Sequence, residues 1–291
     1  MEKLIKLNDI QKEQFSKFIK STRNKIIPKP KDILIKTLLK HDLKTIKLDT
    51  ISQTITQLRE YSYDEFLTYE NEFNSVILKN IASKFNIADE ILTLIAKDFF
   101  KNLPSDYDSF KASFSLYFGR YAGEISPYIY ELCLSNTQSR RSRAGKIFEA
   151  IIYYLYEYFN YSFNSQAKVG KRAFSDLGLG KVVDSILPSV EAFKNFRNKT
   201  IVGSMKTTLR ERWQEVVEEI DRSNLPNIYL LTCDTDISTS KITQMSQHNI
   251  VLVVLNSVKS KLENFHNVIT FESYFAHEIP QILNYWDKAN G

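Results

Sequence analysis

The chain is poor in the residue types that build most compact catalytic centres. Two cysteines, Cys133 and Cys233, stand among 291 residues. They are too few for a disulfide framework or a zinc pattern, and fit a reducing cytoplasm. The four histidines, His41, His248, His266 and His277, are scattered. With no H-x-x-x-H or H-x-E spacing, they point to neither a zinc site nor a histidine-based mechanism. No G-x-x-x-x-G-K-[ST], G-x-G-x-x-G or G-x-S-x-G occurs, so the glycine signatures of P-loops, dinucleotide folds and nucleophile elbows are missing. There is no internal repeat. No apolar run approaches the roughly 20 residues that a membrane span needs. The opening MEKLIKLNDIQKEQ is too charged to read as a secretory signal. These absences lead to the expectation of a soluble, cytoplasmic protein with no membrane partner.

What is present is ordinary in bulk and particular in detail. Hydrophobic residues make up 43% and charged residues 25%, enough to bury a full core. The net charge of +5 permits a polyanionic partner without demanding one. Residues 1 to about 125 read as almost continuously helical. The segment IQKEQFSKFIK places Ile10, Phe15, Phe18 and Ile19 near one stripe, and DILIKTLLKH and ADEILTLIAKDFF repeat the habit. Pro28 and Pro30 punctuate, and Pro104-Ser105-Asp106 reads as a helix start. The many aromatics here (Phe66, Tyr69, Phe73, Phe99, Phe100, Phe110, Phe114, Tyr117, Phe118) are expected to form helix-helix core.

The second part, from about residue 126 to 291, changes period. A long helix from Thr137 runs through QSRRSRAGKIFEAIIYYLYEYF. Apolar strands are then expected at 181–187, 199–205, 227–233 and 249–256, with helical patterns between them. Strands alternating with helices predict an α/β layer whose sheet is covered on both faces.

Three residues of this part suggest chemistry. Asp184 lies in the apolar run VVDSIL, Lys206 closes TIVGSMK, and Glu149 sits on the long helix. Carboxylates beside a lysine suit metal-assisted phosphodiester hydrolysis. Hard oxygen ligands hold Mg²⁺, and the lysine orients water and offsets phosphate charge. Each residue also has a plainer reading: a turn-forming aspartate, a solvated lysine, a glutamate facing water.

The set Asp184 with Ser204-Met205-Lys206 resembles the PD-(D/E)XK nuclease signature, with Ser204 in place of the second acid. More closely, the chain resembles the EcoRII, SsoII and PspGI group of Type II restriction endonucleases. KTTLRERW matches that group's K-x-x-x-R-(D/E)-R run at Lys206, Arg210, Glu211 and Arg212. RAGKIFE matches its R-A-G-x-x-F-E segment and ends on Glu149. The resemblance covers about residues 135 to 222. It implies a restriction-endonuclease-like mixed sheet flanked by helices, with a largely helical N-terminal region that serves dimerisation and DNA contacts. It also implies that the catalytic and metal-binding residues are Glu149, Asp184, Lys206 and Glu219, the last being the displaced acid. A helix beginning near Thr207 or Thr208 would put Trp213, Val216, Val217 and Ile220 on one apolar stripe, with Glu219 nearer the sheet than Glu218.

Arginine can donate two bonds to guanine, and glutamate accepts from the cytosine amino group, so Arg210, Glu211 and Arg212 suit adjacent G·C pairs. Their plainer reading is a surface ion-pair cluster. Arg140, Arg141, Arg143 and Lys146 crowd a second basic stretch suited to phosphate. Gln138 falls where the resembled enzymes place a glutamine that touches the centre of the site. Some of those enzymes flip a base onto an aromatic side chain. Phe85 is the best-placed substitute here, with an ordinary core phenylalanine as the alternative. The implied activity is Mg²⁺-dependent cleavage of double-stranded DNA at a CC-x-GG type palindrome. A homodimer would carry it out, paired functionally with a cognate DNA methyltransferase. The alternatives are a PD-(D/E)XK nuclease with a different G·C-rich target and a non-catalytic helical DNA-binding protein.

Overall fold

The computed structural model describes residues 6–41, 43, 45–180, 182–210 and 212–290. Its first part is helical: α1 (Asp9–Ile26), α2 (Pro30–Lys40), α3 (Ile51–Lys84), α4 (Asn86–Lys101), α5 (Tyr107–Glu124) and α6 (Ser126–Tyr158). Local chemistry sets several of the starts. Asn8 caps α1 in a reciprocal box with Gln11, and Asp106 does the same for α5 with Ser109. Pro30 opens α2, where a missing N–H costs nothing.

Sheet elements follow, with short helices between them. In order these are β1 (Asn164–Ser165), α7 (Gln166–Val169), α8 (Lys171–Ser175), β2 (Ser185–Leu187), α9 (Val190–Asn195), β3 (Ile201–Lys206) and α10 (Arg212–Ser223). Next come β4 (Ile228–Thr232), α11 (Thr239–Gln247), β5 (Ile250–Val254), α12 (Asn256–Lys259), β6 (Val268–Thr270), α13 (Phe271–Ser273) and α14 (Ile279–Asn290). The strands form one mixed sheet in the order β1-β2-β3-β4-β5-β6. β1, β2 and β3 pair antiparallel in turn, and β3 through β6 run parallel.

The chain folds as two compact units that interleave. One comprises residues up to 29 with 64–142, the other 30–63 with 143 onward. The change in sequence grammar near residue 125 does not coincide with that division, because α3 and α6 are long enough to run through both units.

In the first unit, Phe15, Ile19, Phe73, Ile77, Ile81 and Tyr128 are buried. Ile10 departs from the expected stripe and is exposed. Phe66 and Phe73 are core as expected, but α5 buries nothing. Phe100, Phe110, Phe114 and Phe118 are exposed, the last three stacked four residues apart with centroids 6.0 and 6.1 Å from one another. Residues at that spacing share one helix face, and Phe110 at its start meets Phe99 of α4 edge-on, with centroids 6.5 Å apart.

The second unit carries the sheet. Every residue of β3 and of β4 is buried, as a sheet covered on both faces requires. The 181–187 run is strand only over Ser185–Leu187. Asp184 immediately precedes it, yet its N–H still donates to the Gly203 carbonyl at 2.8 Å. At the start of α3, the Glu272 carboxylate accepts from the N–H and the hydroxyl of Ser52, both at 2.8 Å. A negative charge at a helix N-terminus is favourable there.

Gly203 is the tight point of the β2–β3 pair: a Cβ on it would stand 2.6 Å from Ser185 Oγ. Gly203→Ala should therefore cost about 1–3 kcal/mol by overpacking. Adding Ser185→Ala should recover part of that loss. Urea unfolding of the two variants checks this, and a Gly203→Ala protein as stable as wild type would show that the strands have room.

Candidate active site

Asp184 and Lys206 face each other across the junction of β2 and β3. The Asp184 Oδ2 accepts from the Met205 N–H at 2.6 Å and lies 3.7 Å from the Lys206 ammonium. Lys206 is the last residue of β3 and is buried. Ser204, two residues earlier and so on the same side of the strand, is fully buried and donates to the Val182 carbonyl at 2.8 Å. It fills the position of the missing acid with a hydroxyl already spent on the fold.

Glu149 comes to this pair from α6. Burial, and then repulsion by Asp184, raise its pKa to about 7, while Lys206, Lys146 and Arg212 pull it down. Burial also raises Asp184, against the opposing charges of Lys206 and Arg212 and the Met205 N–H bond. The structure thus gathers Glu149, Asp184, Lys206 and Arg212 into one electrostatic group. Tyr153, one turn beyond Glu149, donates its hydroxyl to the Asp184 carbonyl at 2.9 Å. Burial, with Asp184 and Glu149 nearby, pushes its own titration far upward. Sequence reading passed over Tyr153. The signal available was its four-residue spacing from Glu149, which puts both on one helix face.

Glu219 is held elsewhere. The apolar stripe of α10 buries Trp213, Val216 and Ile220, with Val217 half-buried, and it turns Glu219 inward and Glu218 outward. The Glu219 Oε1 accepts from the Gly180 N–H and from Arg222 Nη2, each at 2.6 Å. A Cβ at position 180 would collide with this carboxylate, so the close approach requires glycine. Among the described residues no three His, Cys, Asp or Glu side chains gather closely enough to hold a metal ion. Asp184 and Glu149 nevertheless fit one hard cation. They are half-buried carboxylates whose mutual repulsion leaves a negative charge only partly matched.

The segment between Lys206 and α10 differs from expectation. The helix begins at Arg212 rather than near Thr207. Arg210 lies outside it, exposed, with a left-handed φ of 38°. Leu209 is buried, and its N–H donates to Asp234 Oδ2 at 2.7 Å. That bond ties the loop to the chain just beyond β4. Arg212 is exposed, and Glu211 lies outside the described residues.

Of the other candidates, Gln138 is exposed and Arg143 half-buried on α6. Arg140 grips the buried Glu70, its Nε lying 2.9 and 3.0 Å from the two carboxylate oxygens, and its Nη2 bonds the same group. Glu70 could not be buried without such a partner. Phe85 packs among Phe15, Phe18 and Tyr128, with centroids 5.5, 6.3 and 5.2 Å away. Phe85 is itself half-buried, its ring resting against that cluster.

The raised pKa of Glu149 has a testable sign. A carboxyl that holds its proton more tightly when folded adds stability that is complete below pH 4.5 and is lost as pH rises through about 7. Glu149→Gln does not titrate. In chelator, its melting temperature should therefore gain on wild type between pH 5 and 7 and hold that gain at pH 8. Thermal unfolding across this range measures it, and a constant difference would remove Glu149 from the coupled pair.

The geometry has known counterparts. Residues 117–275 match the family model described as EcoRII C terminal. The Type II restriction enzyme SsoII of Shigella sonnei is 34% identical over 226 residues, which cover 77% of this chain and 67% of that one. The structure of metal-depleted Ecl18kI in complex with uncleaved, modified DNA superposes with a TM-score of 0.75 at 29% identity, covering 94% of this chain and 85% of Ecl18kI. The PspGI–substrate DNA complex shares the fold, with a TM-score of 0.62 at 19% identity over 89% of this chain and 94% of PspGI. By family model, sequence and fold together, the chain belongs to the EcoRII C-terminal family and is a Type II restriction endonuclease of the EcoRII, SsoII and PspGI group.

Proposed function

We propose that this restriction endonuclease hydrolyses a phosphodiester bond at Asp184 and Lys206, at a CC-x-GG type palindrome in double-stranded DNA. The observation that carries the proposal is the approach of the Lys206 ammonium to Asp184 within a group that also holds Glu149 and Arg212. Asp184 and Glu149 would hold Mg²⁺, which when bound supplies Lewis-acid stabilisation of phosphate charge and a more acidic water. Lys206, fixed at its strand end, orients the attacking water and offsets charge on the scissile phosphate. Glu149, its pKa raised to about 7, would offer a second carboxylate when a nearby positive charge favours its ionised form. Glu219 is the third proposed carboxylate, and it reaches the site only when Arg222 and the Gly180 N–H release it.

Arg210, Glu211 and Arg212 are proposed to read the G·C pairs, and Gln138 the centre of the site. Arg143 is proposed to meet phosphate. Arg140 and Phe85, held by Glu70 and by the aromatic cluster, contribute to DNA binding through the shape of the surface they support. A palindrome read by one half-site motif calls for two-fold symmetry and hence a homodimer. Residues 1–125 are proposed to serve assembly and DNA contacts, with 126–291 as the catalytic and recognition part. A cognate DNA methyltransferase would protect the host genome. Incubating the protein with plasmid DNA and Mg²⁺, then sequencing the ends, tests the target; ends without a common sequence would overturn the CC-x-GG reading.

Asp184→Ala and Lys206→Ala should each lower cleavage by several orders of magnitude without unfolding the chain. The lysine variant should still shift cognate DNA in Ca²⁺. A Lys206→Ala protein that cuts at the wild-type rate would remove the assignment.

Glu219 and Glu218 form an internal control. Glu219→Ala should cripple Mg²⁺-supported cleavage, whereas Glu218→Ala should stay within a small factor of wild type. If single-turnover rates for both match wild type, Asp184 and Glu149 suffice, and Glu219 serves only the Gly180 contact.

A further inference from the structure

The segment that joins Lys206 to α10 holds a backbone conformation that its sequence disfavours. Arg210 has a φ of 38°, a left-handed value that costs a residue with a side chain about 1 kcal/mol or more. Such a conformation persists only where the surroundings over-determine it. Two features of this segment do so from within: Leu209 is buried as a plug, and its carbonyl accepts from the Arg212 N–H at 2.6 Å. A third comes from another strand. Asp234 lies two residues beyond Thr232, which pairs with Lys206 in the parallel β3–β4 ladder. Its Oδ2 accepts the Leu209 N–H at 2.7 Å, and its Oδ1 accepts the Asp236 N–H at 3.1 Å. The Asp234 N–H donates to Thr232 Oγ1 at 3.1 Å, which fixes the carboxylate's own base.

We infer that Asp234 is a positioning residue for DNA recognition: through the Leu209 N–H it sets the loop that aims Arg210 and Arg212. The inference rests on the reading that these arginines contact bases. Both are exposed, and Leu209 beside Arg210 is almost fully buried, so the loop is pinned at one point and presented at the next. A carboxylate suits this task. Both oxygens are used at once, and a hydrogen bond to a charged acceptor is stronger than one to a neutral acceptor. Asparagine could satisfy only one of the two N–H groups and would set its own amide donor against the other.

The test compares single-turnover cleavage of the cognate site with sites altered at one G·C pair, for Asp234→Ala, Asp234→Asn, Arg210→Ala and the Asp234→Ala/Arg210→Ala double variant. Asp234→Ala should lower the cognate-to-altered ratio at least tenfold, with Asp234→Asn intermediate. The double variant should fall by less than the product of the two single effects, because part of the Asp234 effect runs through Arg210 and the rest through Arg212. Hydrogen exchange at the Leu209 amide gives an activity-free readout, taken on Asp234→Ala or, should that variant fold poorly, on Asp234→Leu, whose side chain accepts no hydrogen bond. Exchange should quicken at least tenfold relative to wild type.

If both rates fall equally and the ratio holds, Asp234 is merely structural and the inference is overturned. Effects that multiply in the double variant, or an unchanged Leu209 exchange rate, overturn it as well. If Arg210→Ala lowers the ratio while Asp234→Ala leaves it alone, the base-reading assignment stands and only the role of Asp234 falls. If neither Arg210→Ala nor Arg212→Ala moves the ratio, the base-reading assignment itself falls, and this inference falls with it.

Discussion

The site depends on how Asp184 is tied to β3. Its N–H donates to the Gly203 carbonyl, and its Oδ2 accepts the Met205 N–H, so main chain and side chain are both fixed by the same neighbouring strand. Lys206 is the next residue along that strand, so the ladder fixes where its side chain starts, and its buried ammonium comes to 3.7 Å from the carboxylate. Glycine at 203 makes the close pairing with Ser185 possible, since any side chain there would push the strands apart. An acid and a base held by ladder hydrogen bonds keep their separation without help from a flexible loop, and that rigidity is what preorganised catalysis requires.

Charge at the site is balanced across three elements. Glu149 arrives from α6, where Tyr153 one turn later also grips the Asp184 carbonyl, so one helix carries a carboxylate and a brace for the other carboxylate. Arg212 opens α10 and acts on Glu149 and Asp184 alike. The first residue of the helix proposed to read DNA therefore already bears on the acids proposed to cut it. A shift of that helix start would change both the positive charge over the acids and the place of the side chains beyond it. On the proposed function, reading and cutting would be mechanically linked by the few residues between Lys206 and Arg212.

The apolar runs showed where β3, β4 and β5 lie, because strands buried on both faces have little else in them. The 3.6-residue stripe of Trp213, Val216 and Ile220 likewise turned Glu219 inward and left Glu218 outside. What the sequence hid was tertiary. Thr207 and Thr208 both have the chemistry of an N-cap, yet the helix starts at Arg212, after a loop in which Leu209 is buried and bonded through its N–H to Asp234, 25 positions away. Arg140 looks like a phosphate ligand in QSRRSR, and nothing local announces that Glu70 is buried beneath it. The phenylalanines of α5 look like core, but their column stays exposed even where Phe110 touches Phe99 of α4. The meeting of Glu149 with Asp184 could be expected only through the family's motif order, since no spacing rule joins a helix to a strand 35 positions away.

Glu219 illustrates how a buried carboxylate can be conditional. Its charge is now matched by Arg222 and by the Gly180 N–H, and a carboxylate this deeply buried cannot give up both without a replacement. Arg222 lies one turn further along the same helix and is half in solvent, so it can swing to another anion at little cost, whereas Glu219 cannot reach water at all. An approaching phosphate backbone offers Arg222 such an anion, and a divalent cation offers Glu219 a stronger positive charge than the one it loses. Each exchange makes the other easier, because the charge left behind by one is the charge sought by the other. Glu219 would thus join Asp184 and Glu149 only when DNA and cation are both at hand. On the proposed function, that coupling would guard against hydrolysis at sites where the duplex has not seated.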